Sequence, residues 1–339
     1  MIKFGKVFGF IVILCMGVLS FKVSAYIATA YEPNFFETHG ELYGRVIILD
    51  AGHGFNHTAR FHGYDESERM LHLTLALERM LAERGATVLL TRRNRYYVEM
   101  PVRVASINKW ALESLRKVRE EELASLPELC TAETYEVFSR LLMERFLLED
   151  ELQEICLFIN AMERVIHDPY TYGGTYFNLP FDLTRETPMH PYLRRIFDLK
   201  TASEIRDNFL VISLHSNATP RPICIRANGA DAYIMTNDDW RSVAYFANYK
   251  NVCRSYHFSD ILLDGIHSIG IQRRDVKPGN WAIIREHNLP GVLVENGFHT
   301  NAHDRALLLC NMFMDRLAQV YVAAITRYFQ NPDEIATHP

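Results

Sequence analysis

Three polar residues of this chain stand at the ends of apolar runs. His53 follows Arg45-Val-Ile-Ile-Leu-Asp50, within Asp50-Ala-Gly-His-Gly54. His215 follows Phe209-Leu-Val-Ile-Ser-Leu214, and Glu295 ends Gly291-Val-Leu-Val-Glu295. Histidine and carboxylate are the donors of a hydrolytic zinc site, which takes three protein ligands and keeps a position open for water. A further carboxylate beside such a site can carry protons. A strand-end histidine alone is ordinary, whereas a glutamate at the end of a buried strand is not, because an unpaired buried carboxylate is costly. The set carries the signal rather than any one member. Two histidines leave a third ligand to find, and Glu68, Glu66, Asp65, His57 and His62 all compete for it.

These residues need elements that bring them together. The runs 45–50, 86–91, 209–214, 230–236 and 291–295 read as buried strands. Residues 68–84 read as an amphipathic helix, with Leu71, Leu75, Leu77, Met80 and Leu81 giving the spacing and Gly85 the stop. Another helix begins at Pro101, one spans 240–256, and the last runs from about 302 to 329 with a break. Strand alternating with helix predicts an α/β fold: a three-layer sandwich with a central, mixed but mostly parallel sheet, plus a mainly helical insertion. Parallel strands open at their carboxyl ends into one crevice, which is where His53, His215 and Glu295 would meet. Gly52 and Gly54 are expected to let the chain turn and bring His53 inward.

The order of motifs resembles that of the zinc-dependent N-acetylmuramoyl-L-alanine amidases, the type 3 catalytic domain. Ile47-Ile-Leu-Asp-Ala-Gly-His-Gly54, the helix start at Glu68, Val211-Ile-Ser-Leu-His-Ser-Asn-Ala218 and Val292-Leu-Val-Glu-Asn-Gly-Phe298 carry the resemblance. Thr91-Arg92, Arg103-Val-Ala-Ser-Ile-Asn108 and Ala282-Ile-Ile-Arg285 support it in the same order. The resemblance covers roughly 45–110 and 209–329. It implies one zinc ion held by His53, Glu68 and His215, since Glu68-x-x-x-His-Leu73 fits the family spacing and Glu66 breaks it. It implies Glu295 as the catalytic acid–base, with Arg285 or Asn217 steadying the oxyanion. The reaction implied is hydrolysis of the amide joining N-acetylmuramic acid to L-alanine in peptidoglycan, for wall remodelling or daughter-cell separation. Ser216 stands where alanine is usual and Asn296 where an apolar residue is usual. A catalytically silent wall-binding protein on this scaffold, or a zinc peptidase for another amide, are the competing readings.

Residues 111–208 interrupt the family pattern. The stretch 111–165 reads as two or three packed helices, and 168–192 as an aromatic, Pro/Gly-punctuated loop. It is a candidate lid, a docking site for an activator protein, or plain decoration. At the N-terminus, Lys3 and Lys6 precede the apolar run Val7 to Leu19 and the small-residue ending Val23-Ser24-Ala25, a secretory pattern. The expected organisation is a signal peptide over 1–25, a connector over 26–44, the catalytic domain over 45–329 with its insertion, and a tail over 330–339. The expected destination is the periplasm or cell envelope. Of 339 residues, 48% are hydrophobic and 23% charged, which suits a globular chain. The net charge of -5 gives no basic surface for nucleic acid. Six cysteines without a CxxC spacing exclude a thiolate metal site.

Overall fold

A computed structural model of the chain describes residues 40–55, 57–126, 132–165, 205–219, 226–236, 251–279 and 281–331. The expected signal peptide, most of the connector and tail, and the aromatic loop 168–192 lie outside the described residues. The elements are β1 (Val46–Ala51), β2 (Arg60–Phe61), β3 (Tyr64–Asp65), α1 (Glu66–Ala82), β4 (Thr87–Leu90), α2 (Met100–Ser125), α3 (Ala132–Val165), β5 (Phe209–Asn217), β6 (Ala230–Ile234), α4 (Val252–Ser268), β7 (Arg273–Pro278), α5 (Ala282–Arg285), β8 (Gly291–Phe298), α6 (Ala302–Leu309) and α7 (Asn311–Gln330).

Six strands make the main sheet in the order β4-β1-β5-β8-β6-β7. The first four are parallel to one another, β6 is antiparallel to β8, and β7 is parallel to β6. Two strands therefore run against the other four and begin at the edge where those end. The expected mixed, mostly parallel sheet is this one. β7 was not expected: its sequence, Arg273-Arg-Asp-Val-Lys-Pro278, has the charge and proline of a protected edge rather than an apolar run.

Both faces are covered. On one, Met70, Leu73 and Leu77 of α1, Phe258 and Leu262 of α4, and Leu317, Tyr321 and Ile325 of α7 pack on Ile47, Leu49, Leu210, Ile212, Val292 and Val294. On the other, Ile48, Phe209, Val211 and Leu293 meet Leu112 and Leu115 of α2, Leu148, Leu152 and Ile155 of α3, and Ile283 and Ile284 of α5. Each such side chain, fully buried, contributes about 1.5–3 kcal/mol. Central strands buried on both faces are continuously apolar, which is why they are legible.

The insertion does not begin at a joint. α2 starts in the catalytic core and continues unbroken to Ser125, and α3 returns along it. Arg119 Nε donates to Glu144 at 2.7 Å, and Arg116 Nη1 to Glu149 at 3.1 Å, stitching the pair. The final helical stretch breaks at Cys310, with 86° between α6 and α7.

Candidate metal centre and active site

β1 ends in Ala51 and hands the chain to Gly52-His53-Gly54. His53 itself takes the left-handed conformation, φ 61°, which costs a non-glycine residue about 1 kcal/mol or more. Two buried arginines hold it there. Arg103 donates to the His53 carbonyl, to the Ala51 carbonyl at 2.7 Å and to Asp50 Oδ1 at 2.8 Å. Arg92 donates to the carbonyls of Ala51 at 2.8 Å, Gly52 at 2.7 Å and Ser67 at 2.8 Å. Asp50 also accepts from Ser213 Oγ at 2.6 Å and from Thr91. Burial alone would raise the Asp50 pKa, but Arg103 and the two hydroxyls hold it down at about 2. Gly52 has a reason other than turning: a Cβ there would lie 2.5 Å from the His215 ring. At Gly54 a Cβ would strike the Tyr97 backbone at 2.3 Å.

The β2–β3 hairpin turns through His62 and Gly63, both at positive φ, as a two-residue hairpin of this hand requires. It delivers Asp65 as the N-cap of α1, where its carboxylate accepts from the Glu68 amide at 3.2 Å. The core-facing stripe of α1 is Glu66, Met70, Leu73, Thr74, Leu77 and Leu81. Glu66 is on that stripe, one turn ahead of Met70. Glu68 is two residues on, about 200° around the helix, and its side chain is exposed. The carboxylate brought to the histidines is therefore Glu66, which corrects the expected Glu68. The resemblance favours Glu68 by motif spacing, and Leu75, one of the residues that gave the helical spacing, is 38% exposed. Asp65 is engaged as the cap, His57 lies against Tyr97, and His62 is in the turn.

β5 carries a bulge between His215 and Asn217, and such irregularities re-aim a side chain. The two departures from the family pattern occupy this spot. Asn296 Nδ2 donates to the His215 carbonyl at 3.1 Å, and its Oδ1 accepts from Tyr321 at 2.8 Å. The Ser216 hydroxyl bonds Tyr64 at 2.9 Å and His299 Nδ1 at 3.0 Å, while its amide donates to Glu66 Oε1 at 2.9 Å. Sequence reading missed His299, Tyr64 and Tyr321, for no motif marks them.

His53 Nε2, His215 Nδ1 and Glu66 Oε1 then form a triangle with sides of 3.1, 3.1 and 3.2 Å. Three lone-pair atoms so close need protons or a cation among them. A tetrahedral ion with bonds of about 2.0–2.1 Å spaces its donors about 3.3 Å apart, so the triangle fits zinc. Burial would raise the Glu66 pKa, but hydrogen bonds and charge from His215 and His53 hold it well below the usual carboxylate range. An ionised carboxylate is what a metal requires. Burial likewise opposes charge on His215, and Glu66 outweighs it, raising the His215 pKa. The triangle opens on the His53 side, where that ring is 35% exposed.

Glu295 pairs in register with His215 on one side and with Asp231 on the other. It is outside the triangle. Burial pushes its pKa up to about 7, with His215 pulling down and the charges of Glu66 and Asp231 pushing up. Its Oε2 is buried and has no hydrogen-bond partner among the described residues. Arg285 is buried in α5 and donates to Glu286 at 2.6 Å. Asn217 turns its Oδ1 onto the Ala218 amide at 2.8 Å.

A mostly parallel α/β sheet that gathers a donor triangle and a buried carboxylate at the carboxyl ends of its parallel strands is suited to hydrolysis. The model of the family described as N-acetylmuramoyl-L-alanine amidase matches residues 47–115 and 180–327. The chain belongs to that family and is a peptidoglycan amidase. Among solved structures, it is similar to the amidase Ami1 from Mycobacterium smegmatis, with 14% identity and a TM-score of 0.49 over 86% of this chain and 99% of that one. It is also similar to the CwlV catalytic domain from Bacillus (Paenibacillus) polymyxa, with 17% identity and a TM-score of 0.43 over 84% and 98%. For the CwlD amidase from Clostridioides difficile, solved in complex with the GerS lipoprotein, the values are 17%, 0.44, 84% and 98%. No curated protein matches the chain.

Proposed function

We propose that the chain cleaves the bond between N-acetylmuramic acid and L-alanine as a zinc enzyme, with the ion held by His53 Nε2, Glu66 Oε1 and His215 Nδ1. The observation that carries this reading is the lone-pair triangle, whose sides match the donor spacing of that ion. Bound zinc supplies Lewis acidity, which polarises the carbonyl and makes water acidic enough to attack at neutral pH. Glu295 is the proton carrier: it takes a proton from the attacking water and returns it to the leaving nitrogen. Its neighbours suit that task, because burial and two nearby carboxylates keep its proton affinity near 7. The substrate places the enzyme outside the cytoplasm, and the N-terminal pattern of Lys3, Lys6 and Val7 to Leu19 supports export.

A protein partner on the α2–α3 hairpin is the second part of the proposal. Tyr135, Phe146 and Leu157 of α3 are 63%, 59% and 62% exposed. Their spacing of eleven residues repeats every three turns and puts them on one face of the helix. The test of the whole reading is purified enzyme on cell-wall sacculi, with products identified by mass spectrometry. Release of peptides with free L-alanine amines, lost with chelator and restored by zinc, is expected. Activity indifferent to zinc removal would sink it.

A further inference from the structure

Because β6 and β7 run against the other strands, their first residues reach the edge that holds His215 and Glu295. His215, Glu295 and Asp231 are consecutive in one cross-strand row, with neighbouring side chains about 5 Å apart. Asp231 is fully buried and receives Arg274 Nε at 2.9 Å and Lys277 Nζ at 2.5 Å. The two cations themselves stay partly open, 32% and 30% exposed. One carboxylate cancels only one of two positive charges. Arg274 commits Nη1 to the Asn228 carbonyl at 3.2 Å and lies over the Phe298 ring, which fixes its plane. A guanidinium has five N–H donors and an ammonium three, so donors remain on both. A buried acid one strand beyond the candidate proton carrier thus anchors two oriented cations that reach in from β7, the strand after it, and among the described residues they outnumber the carboxylate they share.

We propose that Arg274 and Lys277 form a carboxylate-binding subsite for the stem peptide, on the leaving-group side of the scissile bond. The subsite rests on the amidase reading given above. The acyl side of that bond is a lactyl ether on a sugar and carries no charge there. The nearest anionic groups belong to the peptide, beginning with the residue after L-alanine. An extended peptide advances about 3.5 Å per residue, which puts that carboxylate roughly 7 Å from the bond. From His215 to Asp231 the sheet crosses two strand spacings, about 10 Å in all. A bond lying over His215 and Glu295 therefore brings the carboxylate close to Asp231, where the Arg274 and Lys277 side chains converge from β7.

The experiment uses two soluble muropeptides, alike except that the residue after L-alanine bears a free carboxylate or the carboxamide. Wild-type enzyme, Arg274→Gln, Lys277→Gln and the double variant are compared on both, with zinc content and melting followed in parallel. The wild type is expected to favour the carboxylate. The double variant is expected to lose about 10- to 100-fold in kcat/KM on it, the range of charge-assisted hydrogen bonds, mostly through KM, while its carboxamide rate changes less than about threefold. The charge-conserving Arg274→Lys should keep most of the preference. Equal losses on both substrates, or a wild type without preference, would overturn the subsite while leaving the amidase reading intact. A wild type inactive on both would overturn that reading, and the subsite with it.

Discussion

His215 and Glu295 stand side by side in register on β5 and β8, yet they face different tasks. The imidazole points into the triangle with Glu66, whereas the Glu295 carboxylate keeps one buried oxygen without a partner among the described residues. Replacing that carboxylate by its amide should spare the metal and stop proton transfer. Glu295→Gln is expected to retain zinc and to lower kcat by about 100- to 10,000-fold. Steady-state kinetics with metal analysis would show it, and a full-rate variant would remove Glu295 from the mechanism.

Glu66 and Glu68 are separable by the same assay. Glu66→Ala, His53→Ala and His215→Ala should each weaken zinc binding by more than the roughly 100-fold typical of losing a residue that merely supports a ligand. Glu68→Ala should leave metal content and rate near wild type. The opposite ranking, read by metal titration, would restore Glu68 as the ligand.

How much was legible beforehand follows from these residues. β1, β5 and β8 are legible because strands buried on both faces are continuously apolar, and the apolar run of each leads up to a functional side chain, His53, His215 or Glu295. The residues alone leave Glu66 one of five candidates, with leucines at 71 and 75 off the core face blurring the helix phase, and the motif spacing of the resemblance then favours Glu68. Counting back in helical steps from Leu77, Leu73 and Met70 reaches Glu66. β7 was hidden by its charges, and with it Arg274 and Lys277. Thr91, Arg92 and Arg103 were visible as motif fragments, but only three-dimensional proximity reveals them as the clamp on His53.

That clamp should dominate stability. Arg103→Met leaves Asp50 buried without its cation, and breaking such a pair costs about 3–5 kcal/mol. Urea denaturation should show a loss of that size. A loss below about 1 kcal/mol would mean that Ser213 and Thr91 suffice.

Gly52 tests the packing beneath the site. With a Cβ 2.5 Å from the His215 ring, Gly52→Ala should displace that ring and lower zinc affinity more than it lowers melting temperature. Calorimetric zinc titration beside a thermal melt distinguishes the two, and unchanged affinity would refute the contact.

His287 gives a pH signature apart from the metal. Burial lowers its pKa to about 4, against the hydrogen bonds it makes with Ile283 and Leu289. The unfolded chain, near 6.5, binds the proton more readily. Stability from this group is complete above 6.5 and falls as pH drops towards 4, by up to about 3 kcal/mol. Glu286 and Glu295, pushed up by burial, act in the opposite sense over part of this range. The difference in unfolding free energy between wild type and His287→Phe is therefore the readout, and it should shrink from pH 7 to pH 4. A pH-independent difference would refute the assignment.

α2 has 26 residues, begins beside the site and ends in the inserted hairpin. Arg103, in its first turn, grips the carbonyl of His53 itself. The helix is a rod of about 39 Å with no hinge along it. One continuous helix thus carries both the inserted hairpin and the arginine that grips the histidine's backbone, so the hairpin and the reaction centre share one mechanical part.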